Sequence, residues 1–372
     1  MDFQPLIRDV IKGTSNGKIV WQPRIGCWYD DRMFQNGTLP EPYAGLSLPE
    51  IYQKLGCSAR TYDYYGCYKR IDDPRVRKYS RRISEYLTEE TTEAPVGKLT
   101  EVIQSNASNS GVYPVKWPVT SLEEMKVDAW IQERATYEFD SELFDSINKK
   151  WGGLCIPSTV YPKVGVQWLT QQAMGLENAI YALHDHPDEV RAYLRVISQN
   201  QELLMKVMAD SPIECINFGG HGDSRLLSPK MMEEYLMPEC QRMNEIFHKA
   251  GKFTISHWDG SVKALLKYAR ELGFDAIEGI TPDPQGDVAL DAMKEALGDG
   301  IFLMDGIAAL LFNPLYPVSR LIDQTKRVIE LFAPKLVLGI SDELPSTGDI
   351  GRIYIVGEIV DEYNIAIQSA NV

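Results

Sequence analysis

The second half of the chain repeats one pattern, in which a short apolar run is followed by a segment with the apolar period of a helix. The runs span residues 214–218, 253–257, 276–280, 301–304 and 336–338. They do not alternate apolar with polar residues, which is typical of strands buried on both faces of a parallel sheet. The amphipathic segments between them predict the helices that connect such strands. The sequence therefore predicts an α/β fold.

A closed barrel is favoured over an open, doubly wound sheet, because no glycine-rich dinucleotide fingerprint follows any run. A length of 372 residues suits one barrel domain. Residues from about 85 to 120 have strand-like composition, interrupted by a turn-rich stretch at 105–111. We therefore predict a single (β/α)8 TIM barrel domain over residues 1–372, with an N-terminal extension and a β-hairpin inserted at about 85–120.

The net charge and the cysteine content of the sequence argue against several classes of partner and of site. The formal net charge of -14 disfavours nucleic acid and anionic membrane surfaces, which an acidic protein repels. The sequence contains neither an apolar run of transmembrane length nor a signal peptide, so we expect a cytoplasmic protein. The six cysteines are scattered without a CxxC pair, which argues against a disulfide framework and against a zinc site made of cysteine alone.

Polar side chains follow the predicted strands at the end where barrel active sites lie. His257 and Asp259 are two residues apart and should share a face, because side chains alternate along a strand. Candidates from the other runs are His221, Asp223, Glu278, Asp305, Asp342 and Glu343. Carboxylates gathered at one end without a cation would repel one another, so this set predicts a divalent metal site.

Some of these residues allow a second interpretation. His221 stands among glycines and can instead bond the loop backbone, and Asp305 before Gly306 can be a turn residue. Glu278 lies within a buried run, where an unpaired carboxylate is costly, so we expect it to have a partner. In the N-terminal half, Trp28 and Tyr29 can wall a pocket for a flat ligand or belong to the core.

The chain resembles the uroporphyrinogen decarboxylase superfamily, most clearly from about 165 to 365. The motifs that carry the resemblance are Met174-Gly-Leu-Glu177, His186-Pro-Asp-Glu-Val190, Leu227-Ser-Pro229, His257-Trp-Asp-Gly260, Glu271-Leu-Gly-Phe-Asp275 and Leu338-Gly-Ile340. The resemblance implies a (β/α)8 barrel and one of two chemistries. True decarboxylases carry an arginine-rich N-terminal motif, which Trp21-Gln-Pro-Arg24 matches only at its start. An acidic site would also repel a substrate with many carboxylates.

The other branch of the superfamily contains zinc-dependent methyltransferases that work with corrinoid proteins. Their coenzyme M members hold the metal with a His-x-Cys pair and a later cysteine. The resemblance places His257 on that histidine, Asp259 on the first cysteine, and Asp342 or Glu343 near the second. With Glu278 added, these residues form an oxygen-rich site that suits Zn²⁺, with Mg²⁺ and Mn²⁺ as alternatives.

Replacement of thiolates by carboxylates favours a metal that activates an oxygen atom rather than a thiol. Residues 36–40 and 46–51 also resemble superfamily members that demethylate substrates. The resemblance therefore implies transfer of a methyl group from a methoxylated, aromatic substrate to a corrinoid protein. We expect His221, Asp223 or Asp305 to supply the proton that the leaving oxygen needs.

The same interpretation predicts that four residues bind the substrate ring, namely Arg24, Trp28, Tyr29 and Trp258. Two alternatives stay open at this point. One is a carboxy-lyase similar to uroporphyrinogen decarboxylase, and the other is a non-catalytic relative that binds a corrinoid or tetrapyrrole.

Overall fold

The computed structural model describes residues 1–370 of the chain. Within these residues the strands are β1 (Val20–Trp21), β2 (Tyr68–Ile71), β3 (Arg77–Arg82), β4 (Leu87–Ala94), β5 (Gly97–Ser105), β6 (Val112–Lys116), β7 (Thr136–Phe139), β8 (Ser158–Tyr161), β9 (Cys215–Phe218), β10 (Phe253–His257), β11 (Ala276–Glu278), β12 (Phe302–Ala308) and β13 (Leu336–Ser341).

The helices are α1 (Gln4–Ile11), α2 (Gly26–Asn36), α3 (Leu48–Leu55), α4 (Leu122–Gln132), α5 (Ser141–Trp151), α6 (Val166–Trp168), α7 (Gly175–Asp185), α8 (Pro187–Asp210), α9 (Pro229–Met231), α10 (Met237–Lys249), α11 (Leu290–Leu297), α12 (Val318–Phe332) and α13 (Arg352–Ala370). Two π-helical turns, Leu169–Ala173 and Met232–Leu236, continue α6 and α9. No helix in the described chain is both long and apolar enough to cross a membrane.

A curled sheet of seven parallel strands forms the centre of the molecule, in the order β1-β13-β12-β11-β10-β9-β8. The apolar runs of the second half thus form parallel strands, as predicted. The prediction of eight strands is not met within residues 1–370. At the open side, Ser58 donates its backbone N–H to Trp21 and Ala59 donates to Leu154, so an irregular segment at 57–61 bridges the gap.

Apolar side chains fill the N-terminal end of the curled sheet, and α1 covers them. Ile7 and Val10 of α1 are buried in a cluster with side chains from six of the seven strands and the residues beside them. Those residues are Val20, Ile156, Cys215, Ile255, Ala276, Phe302, Met304 and Val337. Arg8 fixes the outer face of α1 through an ion pair with Glu214 at 2.7 Å. The interior at this end is therefore a packed apolar core.

The segment predicted to hold an inserted hairpin belongs to a larger element. Strands β3, β4, β5 and β6 form a four-stranded antiparallel sheet that begins at Arg77, before the predicted boundary. The predicted turn-rich stretch connects β5 to β6. There Ser110 donates to Asp31 on α2 through its backbone N–H at 3.1 Å, so the tip of the sheet lies beside α2.

One predicted helix is absent from the described residues. The apolar period at 262–272 forms turns and a short 3-10 segment, Leu266–Tyr268, instead of an α-helix. Asp287, in the loop between β11 and α11, accepts hydrogen bonds from Ser261 Oγ and the Val262 backbone N–H. Its carboxylate thus fixes the chain that follows β10, where the site residues lie.

Candidate active site

Side chains alternate along the parallel strands. As a result, the interior of the sheet changes from an apolar layer at its N-terminal end to a polar layer towards its C-terminal end. In β10 the buried Ile255 is followed two residues later by His257, and in β11 Ala276 is followed by Glu278. In the register of the sheet, His257 lies beside Glu278. Because every strand is parallel, these polar side chains meet at the C-terminal end of the sheet.

Three side chains at this end converge into one group, here called the strand-end site: His221, His257 and Asp259. Candidate ligand atoms of the three lie within 4.8 Å of one another. His221 Nδ1 is 2.8 Å from Asp259 Oδ1, and His257 Nε2 is 3.8 Å from Asp259 Oδ2. The His257 side chain is 10% exposed and that of His221 46%, so the site opens to one side.

Glu278 orients the imidazole of His257. The Nδ1 atom of His257 lies 2.9 Å from Glu278 Oε1, which leaves Nε2 directed towards Asp259. Burial alone would lower the pKa of His257, but its bonds to Asp259 and Glu278 raise that pKa to about 10. Burial acts to raise the pKa of Asp259, yet the two histidines hold it below its usual range.

Arg60 supplies the positive charge beneath the strand-end site. Its guanidinium lies 2.8 Å from Glu278 and also pairs with Asp305, and all three side chains are 1–2% exposed. Burial would raise the pKa of Glu278, but Arg60 and His257 hold it well below its usual range. Burial raises the pKa of Asp305 to about 7, although Arg60 opposes the shift.

The donor set of the strand-end site fits a zinc ion. Two imidazoles and one carboxylate are ligands that zinc takes in proteins, and a fourth position would face the open side. The carboxylate of Glu278 fixes the orientation of His257, as is usual for a metal-bound histidine. Asn217 Oδ1, beside Glu278, is a buried acceptor without a hydrogen-bond donor among residues 1–370, so it is free to accept a hydrogen bond from water or a ligand.

The predicted ligands Glu278, Asp342 and Glu343 do not belong to this group. Glu278 is engaged by Arg60 and His257, and Asp342 pairs with Arg24. Glu343 lies 3.5 Å from Arg24 and accepts a hydrogen bond from Cys27 Sγ at 2.9 Å. All six cysteines are free in the described chain, and none joins the strand-end site.

A cavity of about 370 Å³, here called the mouth cavity, lies above Arg60 and Tyr62. Of the residues predicted to bind the substrate, Arg24 and Tyr29 line it. The other two do not face it. Trp28 and Trp258 are each 1% exposed and pack in the core. Trp28 contacts Tyr43 edge to face, and Trp258 Nε1 donates to Ser256 Oγ at 3.0 Å.

The residues predicted as catalytic have different surroundings. His221 belongs to the strand-end site, whereas Asp223 pairs with Arg225 and Asp305 with Arg60. Asp305 has a φ of 80° and also accepts the Gly279 backbone N–H at 3.1 Å. Both aspartates thus have structural partners, and their catalytic roles stay predictions.

Several residues at the site were not singled out from the sequence. Arg60 follows an apolar stretch with no periodic pattern, and its only signal is a lone basic residue before an aromatic cluster. Tyr62 OH donates to Glu278 at 3.0 Å. Gln171 accepts the His221 backbone N–H at 3.1 Å, and Gln167 donates to the His221 carbonyl at the same distance. Glutamine carries no sequence signal that would predict this contact.

Comparisons with known proteins find similarity in structure but not in sequence. No family model and no curated protein matches the sequence. Among solved structures, a methyltransferase from Methanosarcina mazei superposes with a TM-score of 0.59 and 12% identity. The match covers 98% of this chain and 99% of that chain, so the two share a fold over their whole lengths.

Two other solved structures are more distant. A B12-independent methionine synthase from Shewanella sp. W3-18-1 gives a TM-score of 0.43 at 11% identity, over 94% of this chain and 98% of that chain. A 3-dehydroquinate dehydratase from Geobacillus kaustophilus HTA426 gives 0.30 at 14% identity, over 63% and 77%. Scores this low support no conclusion about the present chain.

Proposed function

We propose that the chain is a metal-dependent methyltransferase that takes a methyl group from the oxygen of a methoxylated, aromatic substrate. The observation that carries the proposal is the strand-end site, where His221, His257 and Asp259 converge with Glu278 behind His257. The fold shared with a methyltransferase from Methanosarcina mazei supports methyl transfer over other reactions of this architecture.

In this proposal the side chains that hold the ion are His257 through Nε2, His221 through Nδ1, and Asp259. Zinc fits these ligands best, and Mg²⁺ or Mn²⁺ would need more oxygen atoms than the group offers. When bound, the ion supplies Lewis acidity towards the ether oxygen, whose departure is otherwise slow at neutral pH. A reduced corrinoid on a partner protein is the proposed methyl acceptor.

The residues of the chain position the reactants. Glu278 fixes the ring of His257, and Arg60 balances the charge of Glu278 within a buried pair. Arg24 and Tyr29 line the mouth cavity, through which we propose that the acceptor approaches the methyl group. Trp28 and Trp258 are buried in the core and are not assigned a contact with the substrate in this proposal.

The test combines metal content with methyl transfer. The protein, purified without a histidine tag and offered zinc, should hold about one zinc per chain, and His257→Ala should lose it. His248→Ala is the matched control, because His248 bonds Thr254 and Asp275 away from the site. Reduced cobalamin and a methoxyarene then serve as surrogate substrates for the methyl-transfer assay.

Two results would contradict the proposal. One is a folded wild-type protein that binds no stoichiometric zinc, and the other is equal zinc in the wild type and His257→Ala. Release of CO2 from an aromatic acid without any corrinoid would support the carboxy-lyase alternative instead. Binding of cobalamin that is unchanged in His257→Ala, without turnover, would support the non-catalytic alternative.

A further inference from the structure

A second cavity of about 360 Å³, here called the edge cavity, lies at the open edge of the sheet beside β8. It reaches from β8 to the chain around β2 and β7, and Gly219, two residues before His221, lines one end. The edge cavity therefore reaches the chain that precedes His221, and it shares no lining residue with the mouth cavity.

The walls of the edge cavity suit a flat, partly apolar ring. Five aromatic side chains line the cavity, with three aliphatic ones beside them. These residues are Tyr65, Tyr68, Tyr137, Tyr161, Trp168, Val160, Ile197 and Leu204. The polar groups of several are already engaged, since Tyr137 donates to Asn200 at 2.8 Å and Trp168 to Tyr193 at 3.0 Å. Their rings therefore offer faces and edges rather than free hydroxyl groups.

Two cations line this cavity, Arg70 and Lys163. Arg70 pairs with Asp72 at 2.7 Å, which leaves Lys163 as the cation available to a ligand. The backbone carbonyl of Lys163 accepts a hydrogen bond from Gln201 at 2.7 Å, which fixes the residue just after β8. A β-carbon at Gly219 would lie 3.9 Å from Lys163 Nζ, so the ammonium extends over the chain that leads to His221. Within residues 1–370 this ammonium makes no hydrogen bond or ion pair, although the side chain is half-buried.

We propose that the edge cavity binds the ring of a phenol and that Lys163 gives its proton to the phenol oxygen as the methyl group leaves. This inference rests on the proposed methyl transfer and names its leaving group and its proton donor. It replaces His221 and the aspartates in that role, because the strand-end site and the arginine pairs engage them.

The step balances in atoms and charge. The bond between the methyl carbon and the ether oxygen breaks, and both electrons stay on the oxygen. The methyl carbon forms its new bond with the electron pair of the reduced corrinoid cobalt. An N–H bond of Lys163 breaks as the O–H bond of the phenol forms, and the neutral amine regains a proton from water.

The surroundings of Lys163 make it a suitable acid for this leaving group. Burial lowers the pKa of Lys163 from its ordinary 10.5, and the nearby charge of Asp259 opposes that shift. A phenol such as the tyrosine side chain has a pKa of about 10. Proton transfer between groups of similar acidity needs little additional free energy, which is the condition for effective general acid catalysis.

The first experiment measures binding and does not depend on methyl transfer. Calorimetry with guaiacol as the probe should show that Lys163→Met weakens binding about tenfold, the loss of one charge-assisted hydrogen bond. Lys206→Met is the matched control, since Lys206 lies on α8 outside the cavity and pairs with Glu202. No guaiacol binding, or equal binding by wild type and Lys163→Met, would overturn the proposal whatever the transfer assay shows.

A second measurement uses the wild type, in case Lys163→Met folds poorly. Guaiacol should protect Lys163 from reductive methylation, read by peptide mass spectrometry, while Lys206 reacts at an unchanged rate. Equal modification of Lys163 with and without guaiacol would contradict the assignment.

The catalytic part has its own test, which relies on the acidity of the leaving phenol. Lys163→Met should lower methyl transfer from guaiacol about 100-fold, and far less from a nitro-substituted methoxyarene, whose phenoxide leaves without a proton. Equal losses for both ethers would show that Lys163 only binds the ring. Failure of the transfer assay with every ether, together with binding that depends on Lys163, would reject the proposed function and keep the binding site.

Discussion

Arg60 illustrates how much one buried residue can determine. Its guanidinium joins Glu278 and Asp305, and Glu278 in turn holds His257. A buried pair adds little when complete, since desolvation offsets most of the attraction, but its loss leaves charges buried without a counter-ion. Both the stability of the interior at the C-terminal end of the sheet and the orientation of His257 therefore depend on Arg60.

Replacement of Arg60 by methionine should lower the free energy of unfolding by about 3–5 kcal/mol. The methionine fills much of the same volume, so the loss reports charge rather than packing. Urea denaturation measures this loss in the free energy of unfolding. Arg8→Met removes the more exposed pair with Glu214 and should cost less than about 1 kcal/mol. Similar losses for the two variants would contradict the role assigned to Arg60.

Asp305 should make stability depend on pH in an unusual direction. Its folded pKa, about 7, lies above the ordinary 3.8, so its protonated form is the one that folding favours. The corresponding stability is fully present below about pH 4 and is lost as the pH rises through 7. The amide introduced by Asp305→Asn stays neutral throughout, and asparagine accepts the same positive φ.

Asp305→Asn should therefore gain stability relative to the wild type between pH 4 and 7, by a few kcal/mol, about 4 at most. Urea denaturation in the presence of a chelator measures the two curves, so that bound metal does not contribute. Parallel curves would show that folding does not raise the pKa of Asp305.

At the scale of single residues, sequence reasoning succeeded where one strand sets the geometry. The adjacency of His257 and Asp259 follows from alternation along β10 and the residues after it. Reasoning from the sequence also predicted that Glu278 needs a partner. The partner itself could not be predicted, because Arg60 comes from an irregular segment far earlier in the chain.

Among the secondary-structure elements, the π-helical turn Leu169–Ala173 contacts the strand-end site directly. Its Gln171 accepts the backbone N–H of His221 and faces the His221 carbonyl at 3.4 Å. The extra residue in such a turn changes the direction of the side chains that follow, and π-turns are frequent at functional sites. The turn thereby fixes a loop that otherwise has glycines on both sides of His221.

Gln171→Ala should weaken zinc binding about tenfold, the usual effect of removing a group that orients a metal ligand. Competition with a fluorescent chelator measures the affinity. Gln172→Ala is the matched control, because Gln172 belongs to the same turn but makes no contact with His221 in the described residues. Equal affinities for wild type and Gln171→Ala would show that the loop is held by other contacts.

The elements of the second half were predictable because each strand is a continuous apolar run. The prediction failed at 262–272, where the chain forms turns and the short 3-10 segment Leu266–Tyr268. Asp287 accepts hydrogen bonds from Ser261 and from the backbone N–H groups of Val262 and Lys263. These contacts come from a residue in another loop, so the apolar period of the segment could not reveal them.

At the scale of the whole molecule, α1 connects the N-terminus to the entire sheet. Ile7 contacts the apolar cluster at the N-terminal end, where it is 2% exposed. The α/β class and the parallel sheet were predictable from the repeat of apolar runs. Closure into a complete barrel was not, because it depends on whether short segments of the N-terminal half pair with both edges.

Ile7→Ala should lower the free energy of unfolding by about 2–5 kcal/mol, since it opens a cavity beneath the sheet. Ile11→Ala, on the same helix but half-buried, should cost clearly less. Urea denaturation of the two variants gives the comparison. Equal costs would indicate that α1 packs less tightly than its burial implies.

The segment at 57–61, which bridges the gap in the sheet, also determines when the interior can close during synthesis. Arg60 leaves the ribosome 245 residues before Asp305, its partner across the interior. At the usual rate of translation that interval is roughly 10 to 50 seconds. During this interval the chain lacks β12 and β13, so the ion pair between Arg60 and Asp305 cannot form. The interior of the sheet can therefore close only after these two strands have been synthesised.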